Sequence, residues 1–321
     1  MSARLQSASA FAPGGVGNVG PGLDILGLAL EGIGDRVRAE WSETPGVQIL
    51  DPGHPDLPRD ASRHTSGLAA QAVLERAGIS GRQDTGIALT VRKGLPLSGG
   101  QGGSAASAVA GAVAVNALLG NPLDRGTLAL ACLEAEECVS GRHADNIATS
   151  LFGGIVLIRS LDPLELVQLP IPEELYVVIV RPDQQLRTMD ARSVLPSDVP
   201  RAVALHQAAQ VGAMVAALAA SDYILLGRAL DDRIAEPVRA PLLPGFREAK
   251  AAGLKAGALG SSISGSGPSA FALVRGPESG QAVGAAMSAA YSASGLRSEV
   301  RVTRVSREGA RLIADLENPR P

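Results

Sequence analysis

The chain has 321 residues, 45% of them hydrophobic and 19% charged, with a formal net charge of −3; this suffices for two cores of roughly 150 residues each and argues against a disordered chain. Aromatic residues make up 2% and no long basic run occurs, which argues against nucleic-acid binding, by base stacking or by phosphate contacts. The N-terminus, MSARLQSASAFAPGG, lacks the apolar core of a secretory signal, and no apolar run is read as reaching the roughly 18 residues of a membrane span, so a cytoplasmic protein without a membrane partner is expected.

In chain order, GGVGNVGPG at 14–22 reads as the first of three glycine-rich turns. Gly15 to Gly20 formally match GxGxxG, but Pro21 and Gly22 follow where the dinucleotide fingerprint needs a continuing helix, so no such site is inferred. Asn18 and Asp24 flank this turn and either orient a small polar ligand or make Asx turns. TGIALTV (85–91) has strand character. PLSGGQGGSAA (96–106) then runs into an alanine-rich helix over Gly103–Leu119, with a second helix over Leu128–Val139 and a buried strand at GGIVLI (153–158). The strand signal YVVIV opens a second α+β unit, followed by helices over 202–220 and 245–255, a strand at SAFALV (269–274), a helix over 281–294 and a strand at RSEVRVTRV (297–305). The expected division is 1–165 and 166–321.

The first turn of a helix leaves backbone N–H groups without intrahelical partners, and its aligned peptide dipoles favour negative charge. Glycines let those amides approach phosphate oxygens without intervening side chains. The stretch Pro96–Ala106 therefore reads as a phosphate loop, with Ser104 either capping the helix or offering an oxygen to Mg2+. It is no Walker loop, since no lysine follows the last glycine. SGRHADNIATSLFGG (140–154) packs His143, Asp145 and Asn146 ahead of a buried strand, as a site at the mouth of a core or as a surface turn. Of Glu134, Glu136 and Glu137, one turned inward would suit a metal, although solvent is the ordinary place for a helical glutamate. Cys132 and Cys138 read as buried structural thiols, and the four histidines show no metal-ligand spacing.

PLSGGQGGSAASAVAGAVAVN resembles the phosphate-loop motif of the GHMP kinases. NVGPGLDILGLAL, SGRHADNIATSLFGGIVLI, TMDARSVLP, IAEPVRAPLLPG and ISGSGPSAFAL are similar to segments of that family's homoserine-phosphorylating members, in the same order from about Ala12 to Ser298. The resemblance implies an α+β, two-domain GHMP-kinase fold with a ferredoxin-like C-terminal domain. It implies transfer of the γ-phosphoryl of ATP to the hydroxyl of L-homoserine in threonine biosynthesis, with Mg2+, in a homodimer. Carried over by residue, Pro96, Leu97, Ser98, Gly99, Gly100, Gln101, Gly102, Gly103, Ser104, Ala105 and Ala106 would cradle the triphosphate, with His64 near the base. Ser104 and Glu136 would hold Mg2+. Asn18, Asp24, His143, Asp145 and Asn146 would surround the amino and hydroxyl ends of homoserine, with Asp24, Asn146 and Ser104 closest to the chemistry. Thr188, Arg192, Arg239 and Gly265 would reach it from the second domain, the arginines clamping the carboxylate.

Departures from the family pattern are visible. Gly100–Ser104 read GQGGS where GLGSS is usual, Val16 and Gly17 replace a Ser/Thr-Ala pair, Leu23 replaces a common phenylalanine, and His64 stands in place of an asparagine near the base. The readings left open are another GHMP small-molecule kinase, of shikimate or mevalonate type, and a non-catalytic binding protein.

Overall fold

The computed structural model describes residues 5–79, 86–314 and 316. The chain begins with a long antiparallel pair, β1 (Ser7–Gly17) and β2 (Leu26–Ser42), followed by β3 (Gly46–Asp51), α1 (Thr65–Arg76), β4 (Gly86–Arg92), α2 (Gly103–Leu118), α3 (Arg125–Glu137), α4 (Asp145–Phe152), β5 (Ile155–Leu161) and β6 (Leu164–Leu169). After β7 (Leu175–Pro182) come α5 (Thr188–Ser193), α6 (Arg201–Ala220), α7 (Tyr223–Arg228), α8 (Ala235–Arg239), α9 (Phe246–Lys255), β8 (Gly260–Ile263), β9 (Ala270–Arg275), α10 (Pro277–Ala293), β10 (Ser298–Arg304) and β11 (Arg311–Ile313). Thr85, at the edge of the strand expected over 85–91, lies outside the described residues.

Two sheets organise these elements. The first has seven strands in the order β11-β1-β2-β4-β3, with β5 pairing both β2 and β6. The second is β10-β7-β9-β8, antiparallel throughout. Its β-α-β-β-α-β connectivity is the ferredoxin-like arrangement that the resemblance implies. A division at 165 would cut β6, which belongs to the first sheet, and β11 at the far end of the chain returns to pair with β1.

Alternation along the strands explains the layering. Val177, Ile179, Phe271 and Leu273 point into a core shared with Leu26, Leu28 and Leu30 of β2 and Met214 of α6. The residues between them, Val178, Val180, Ala270 and Ala272, face Phe246, Val283, Met287 and Tyr291 of α9 and α10. In β1, Ala8, Ala10 and Ala12 join the core under α1–α4, whereas Val16 joins the other one. A register shift between Pro13 and Gly15 turns the strand over.

Three sequence expectations change here. GGVG at 14–17 is the end of β1, and the turn proper begins only beyond Gly17. Cys132 is buried in α3 as expected, but Cys138 caps its end and is exposed. Finally, α6 has the length and apolarity of a membrane span, with mean hydropathy 1.4. Its alanines raise the average past the polar residues that break the run, and its Gln207, Met214, Ala217 and Leu218 are buried against the protein.

Candidate active site

The three glycine-rich segments converge where the two sheets meet. Gly15 N–H donates to the Gln101 carbonyl (3.1 Å) and Gly265 N–H to the Gly17 carbonyl (3.0 Å). Ser264 and Ser269 hydroxyls donate to the Gly100 and Gly99 carbonyls (2.7 and 2.6 Å). Backbones this close leave no space for side chains: a Cβ on Gly100 (φ +70°) would sit 2.4 Å from the Ser264 carbonyl oxygen, and one on Gly17 2.3 Å from Asp145 Oδ2. The glycine in place of the usual alanine at 17 thus seats the first turn of α4 against β1.

Gly102 (φ +67°) is the residue that starts α2, with no side-chain cap. Ser104 therefore does not cap the helix. Its hydroxyl donates to Glu136 Oε1 (2.8 Å), which also accepts from Ser140 Oγ (2.5 Å). Of the three glutamates, Glu136 alone is inward, at 2% exposure; Glu134 pairs with Arg76, and Glu137 with Arg142, at the surface. Glu136 Oε2 is buried without a partner. A hydroxyl beside a carboxylate with an unused oxygen offers the oxygen ligands that suit a hard divalent cation.

A polar chain runs onward from Glu136. His143 Nε2 lies 3.3 Å from Ser140 Oγ, and its Nδ1 makes an ionic contact with Asp145 Oδ1 at 3.5 Å. Since Ser140 gives its proton to Glu136, its oxygen is free to accept from Nε2–H. Burial pushes the imidazole down, but Asp145 and the charge of Glu136 outweigh it, so the His143 pKa lies above the ordinary histidine value. Burial likewise opposes ionisation of Asp145, yet His143 and the N–H groups of Asn146 and Asn18 hold it below the usual carboxylate range. Asn18 N–H donates to Asp145 Oδ2 (2.9 Å), and Asn18 Oδ1 accepts from Asp24 N–H (2.7 Å). Asn18 and Asp24 both adopt positive φ, +56° and +60°, a conformation that Asn and Asp tolerate better than most residues.

The second sheet's connections supply the opposite wall. Arg192 of α5 pairs with Asp24 through both nitrogens of its fork, at 2.6 and 3.3 Å. Arg239, 1% exposed, donates Nε to the Ala191 carbonyl (3.0 Å) and Nη1 to the Gly265 carbonyl (3.2 Å). Burial and the neighbouring Arg192 lower its pKa from the usual arginine value. Thr188 Oγ1 lies 3.4 Å from Ser266 Oγ. Asn146 Oδ1 and Arg192 Nε are buried without partners, like Glu136 Oε2. Every residue expected from the second domain is therefore at this junction.

His64 is the exception. It is 2% exposed, its Nδ1 accepts from Ser66 N–H (3.2 Å) at the start of α1, and its Nε2 lies 3.4 Å from the Pro52 carbonyl. With both ring nitrogens engaged, it anchors the 52–64 loop and offers no edge to a base. Sequence reading missed Gln207, whose amide donates to the Pro21 carbonyl (2.9 Å) and to Asp232 (2.8 Å). It ties the Asn18–Asp24 loop to Asp232, which accepts the first N–H groups of α8. It also missed Lys93, Asp35 and Ser107. A buried lysine and aspartate 58 positions apart leave no local pattern.

Fold and site together define a small-molecule kinase of the GHMP class. The family model described as GHMP kinases N terminal domain matches residues 64–154, and that described as GHMP kinases C terminal matches 214–293. The chain is 45% identical to a homoserine kinase of Chlorobium phaeovibrioides, over 96% of this chain and 100% of the relative, and 42% identical to one of Arabidopsis thaliana, over 96% and 85%. A crystal structure of homoserine kinase from Cytophaga hutchinsonii superposes with a TM-score of 0.92 at 42% identity, covering 98% of this chain and 99% of that one. The chain belongs to the GHMP kinases and, within them, to the homoserine kinase family.

Proposed function

We propose that the protein transfers the γ-phosphoryl group of ATP to the side-chain hydroxyl of L-homoserine, giving O-phospho-L-homoserine and ADP, with the site described above as its active site. The observation that carries the acceptor assignment is the Asp24–Arg192 pair. It presents a carboxylate and a guanidinium side by side at the junction, matching the ammonium and carboxylate of an α-amino acid. Shikimate and mevalonate carry a carboxylate but no ammonium, and would leave Asp24 without a partner. Arg192 and Arg239 clamp the carboxylate of the acceptor, with Thr188 and Gly265 shaping that end; Asn18, Asp24, His143, Asp145 and Asn146 surround its amino and hydroxyl ends.

The triphosphate lies along Pro96–Ala106, on the N–H groups of the first turn of α2. Ser104 and Glu136 would hold Mg2+, which when bound neutralises charge on the phosphates. Phosphoryl transfer passes through a loose transition state whose charge sits on equatorial oxygens, so positioning and fixed donors supply most of the catalysis and no strong base is needed. Asp24 would meet the ammonium with one carboxylate oxygen and orient the attacking hydroxyl with the other, and Asn146, whose unpartnered Oδ1 lies behind Gly102, would approach that hydroxyl from the side of the loop.

A homodimer belongs to the same reading; α6 offers it apolar surface, with Leu205 64% exposed. The deciding experiment is coupled ADP release with homoserine, shikimate and mevalonate as acceptors. Turnover with homoserine alone is expected. Turnover with another acceptor, or ATP binding with none, would replace this reading by another GHMP kinase or by a binding protein.

A further inference from the structure

Beneath the phosphate loop lie three buried residues that the mechanism leaves unused: Lys93 just after β4, Asp35 in β2 and Ser107 in α2. Asp35 is fully buried, Ser107 is 2% exposed and the Lys93 side chain 8%. Asp35 Oδ1 accepts from Gly94 N–H (3.0 Å) and Leu95 N–H (3.2 Å), and its Oδ2 from the Ser107 hydroxyl (2.6 Å) and the Lys93 ammonium. That ammonium also donates to Ser107 Oγ (2.9 Å) and to the Gly103 carbonyl (3.0 Å). All three of its protons are placed.

Burying two charges is a poor way to stabilise a fold, since a well-packed apolar pair of similar volume often does as well. Geometry gives a more specific role. The Gly103 carbonyl and the Ser104 N–H belong to one planar trans peptide and point in opposite directions. Ser104 N–H, in the first turn of α2, has no intrahelical partner. A charged donor fixed on the carbonyl sets the direction of that N–H and polarises it toward stronger donation. The same anchor places Ser104, whose hydroxyl meets Glu136. Lys93 itself is neutralised by Asp35, so it acts through this peptide rather than as a free positive charge.

We propose that Lys93, held by Asp35 and Ser107, is a positioning residue that aims the Gly103–Ser104 peptide at the nucleotide phosphates. This rests on the phosphate-loop reading above. Lys93→Met alone strands the Asp35 carboxylate, so the informative variant is Asp35→Asn with Lys93→Met, which removes both charges. Ser107→Ala, which keeps the ion pair, is the milder second variant. For each, folding is checked by circular dichroism and thermal melt, ATP affinity by calorimetric titration with Mg2+, and both KM values by ADP release. The folded double variant is expected to bind ATP roughly tenfold or more weakly and to show an ATP KM raised by a similar factor, with the homoserine KM within about twofold of wild type, and Ser107→Ala to show smaller changes in the same directions. Unchanged ATP parameters in a folded variant would overturn the proposal, as would both KM values rising by the same factor, which marks general loosening. Wild-type protein that binds no ATP would overturn the phosphate-loop reading along with it.

Discussion

Glu136→Gln is the most direct probe of the proposed metal position. The side chain is 2% exposed; Oε1 accepts the hydroxyls of Ser104 and Ser140, and Oε2 has no partner. Glutamine keeps one oxygen for the hydroxyls and puts an NH2 where Oε2 stood. A buried NH2 without an acceptor costs about 1–3 kcal/mol, and removal of a buried carboxylate charge offsets a comparable part of it. The ligand-free melting midpoint should therefore move by only about 2–4 °C. Catalysis should respond far more if the carboxylate is, as proposed, the anionic ligand for a hard cation beside the transferring group. Loss of such an electrostatic partner lowers kcat on the order of 10²–10³-fold. The assay is initial ADP release against Mg2+ concentration at saturating ATP and homoserine, where half-saturation should move upward by roughly tenfold. The charge of Glu136 also helps to raise the His143 pKa, so a histidine NMR titration of the variant should move downward. A variant with wild-type kcat and Mg2+ dependence would refute the metal role and leave Glu136 as an acceptor for two serines.

Arg239→Lys keeps the charge but loses the fork that spans the Ala191 and Gly265 carbonyls; the homoserine KM should rise at least roughly tenfold with little change for ATP, and stability should fall by about 1.5–3 kcal/mol per lost bond, read by urea denaturation. Equal rises in both KM values would remove Arg239 from the substrate's carboxylate end. Asp24→Asn breaks the pair with Arg192 and should lower kcat at saturating homoserine; unchanged turnover would take Asp24 out of the chemical step. For pH, His143 is raised on folding, so its contribution to stability is complete below its unfolded pKa of about 6.5 and fades as pH rises through the folded value. Asp145 is depressed, so its contribution is present above about 3.9 and fades as pH falls. The stability gap between wild type and His143→Gln should therefore be widest between these limits and narrow toward pH 9. A gap that widens with rising pH would show that His143 is neutral in the fold.

The sequence was most informative where structure is repetitive or compositionally extreme. The alanine-rich α2 was placed to within a residue at each end, and YVVIV marked β7, because helical length and β-branched runs are local signals. β1 is hard to read because alanine, glycine and proline, poor strand formers, fill SASAFAPGGVG; pairing with β2 over ten residues and the close packing of α2 and α4 make it a strand, whereas β2 does alternate, with Leu26, Leu28 and Leu30 turned to one core. The inward choice of Glu136 among three glutamates depends on where α3 packs, which no spacing within the helix decides. The orientation of the His64 ring is illegible for a related reason: its position after the 51–63 loop says nothing of which ring edge faces out. At Gly103, where the family pattern has serine, a Cβ would make ordinary contacts, 3.4 Å from Lys93 Nζ and 3.5 Å from the Pro96 carbonyl, so packing does not require glycine there.

Buried polar atoms in folded proteins nearly always find partners, yet Glu136 Oε2, Asn146 Oδ1 and Arg192 Nε do not. They are three links in one polar chain running from the start of α2 to α5. In the proposed reading, the acceptor on the carboxylate, the acceptor behind the loop and the donor on the guanidinium would meet a cation, a hydroxyl and a carboxylate respectively. Meanwhile Asp24 and Arg192 satisfy each other across the junction. Binding of a zwitterion exchanges one charge pair for two, so the separation of Asp24 from Arg192 is offset by new contacts of the same kind. A ligand with only one of the two charges leaves one of these residues uncompensated at a half-buried site. On the proposed reading, discrimination against carboxylic acids without an amine would need no steric barrier, because the protein's own ion pair would compete with any acceptor that cannot replace both halves of it.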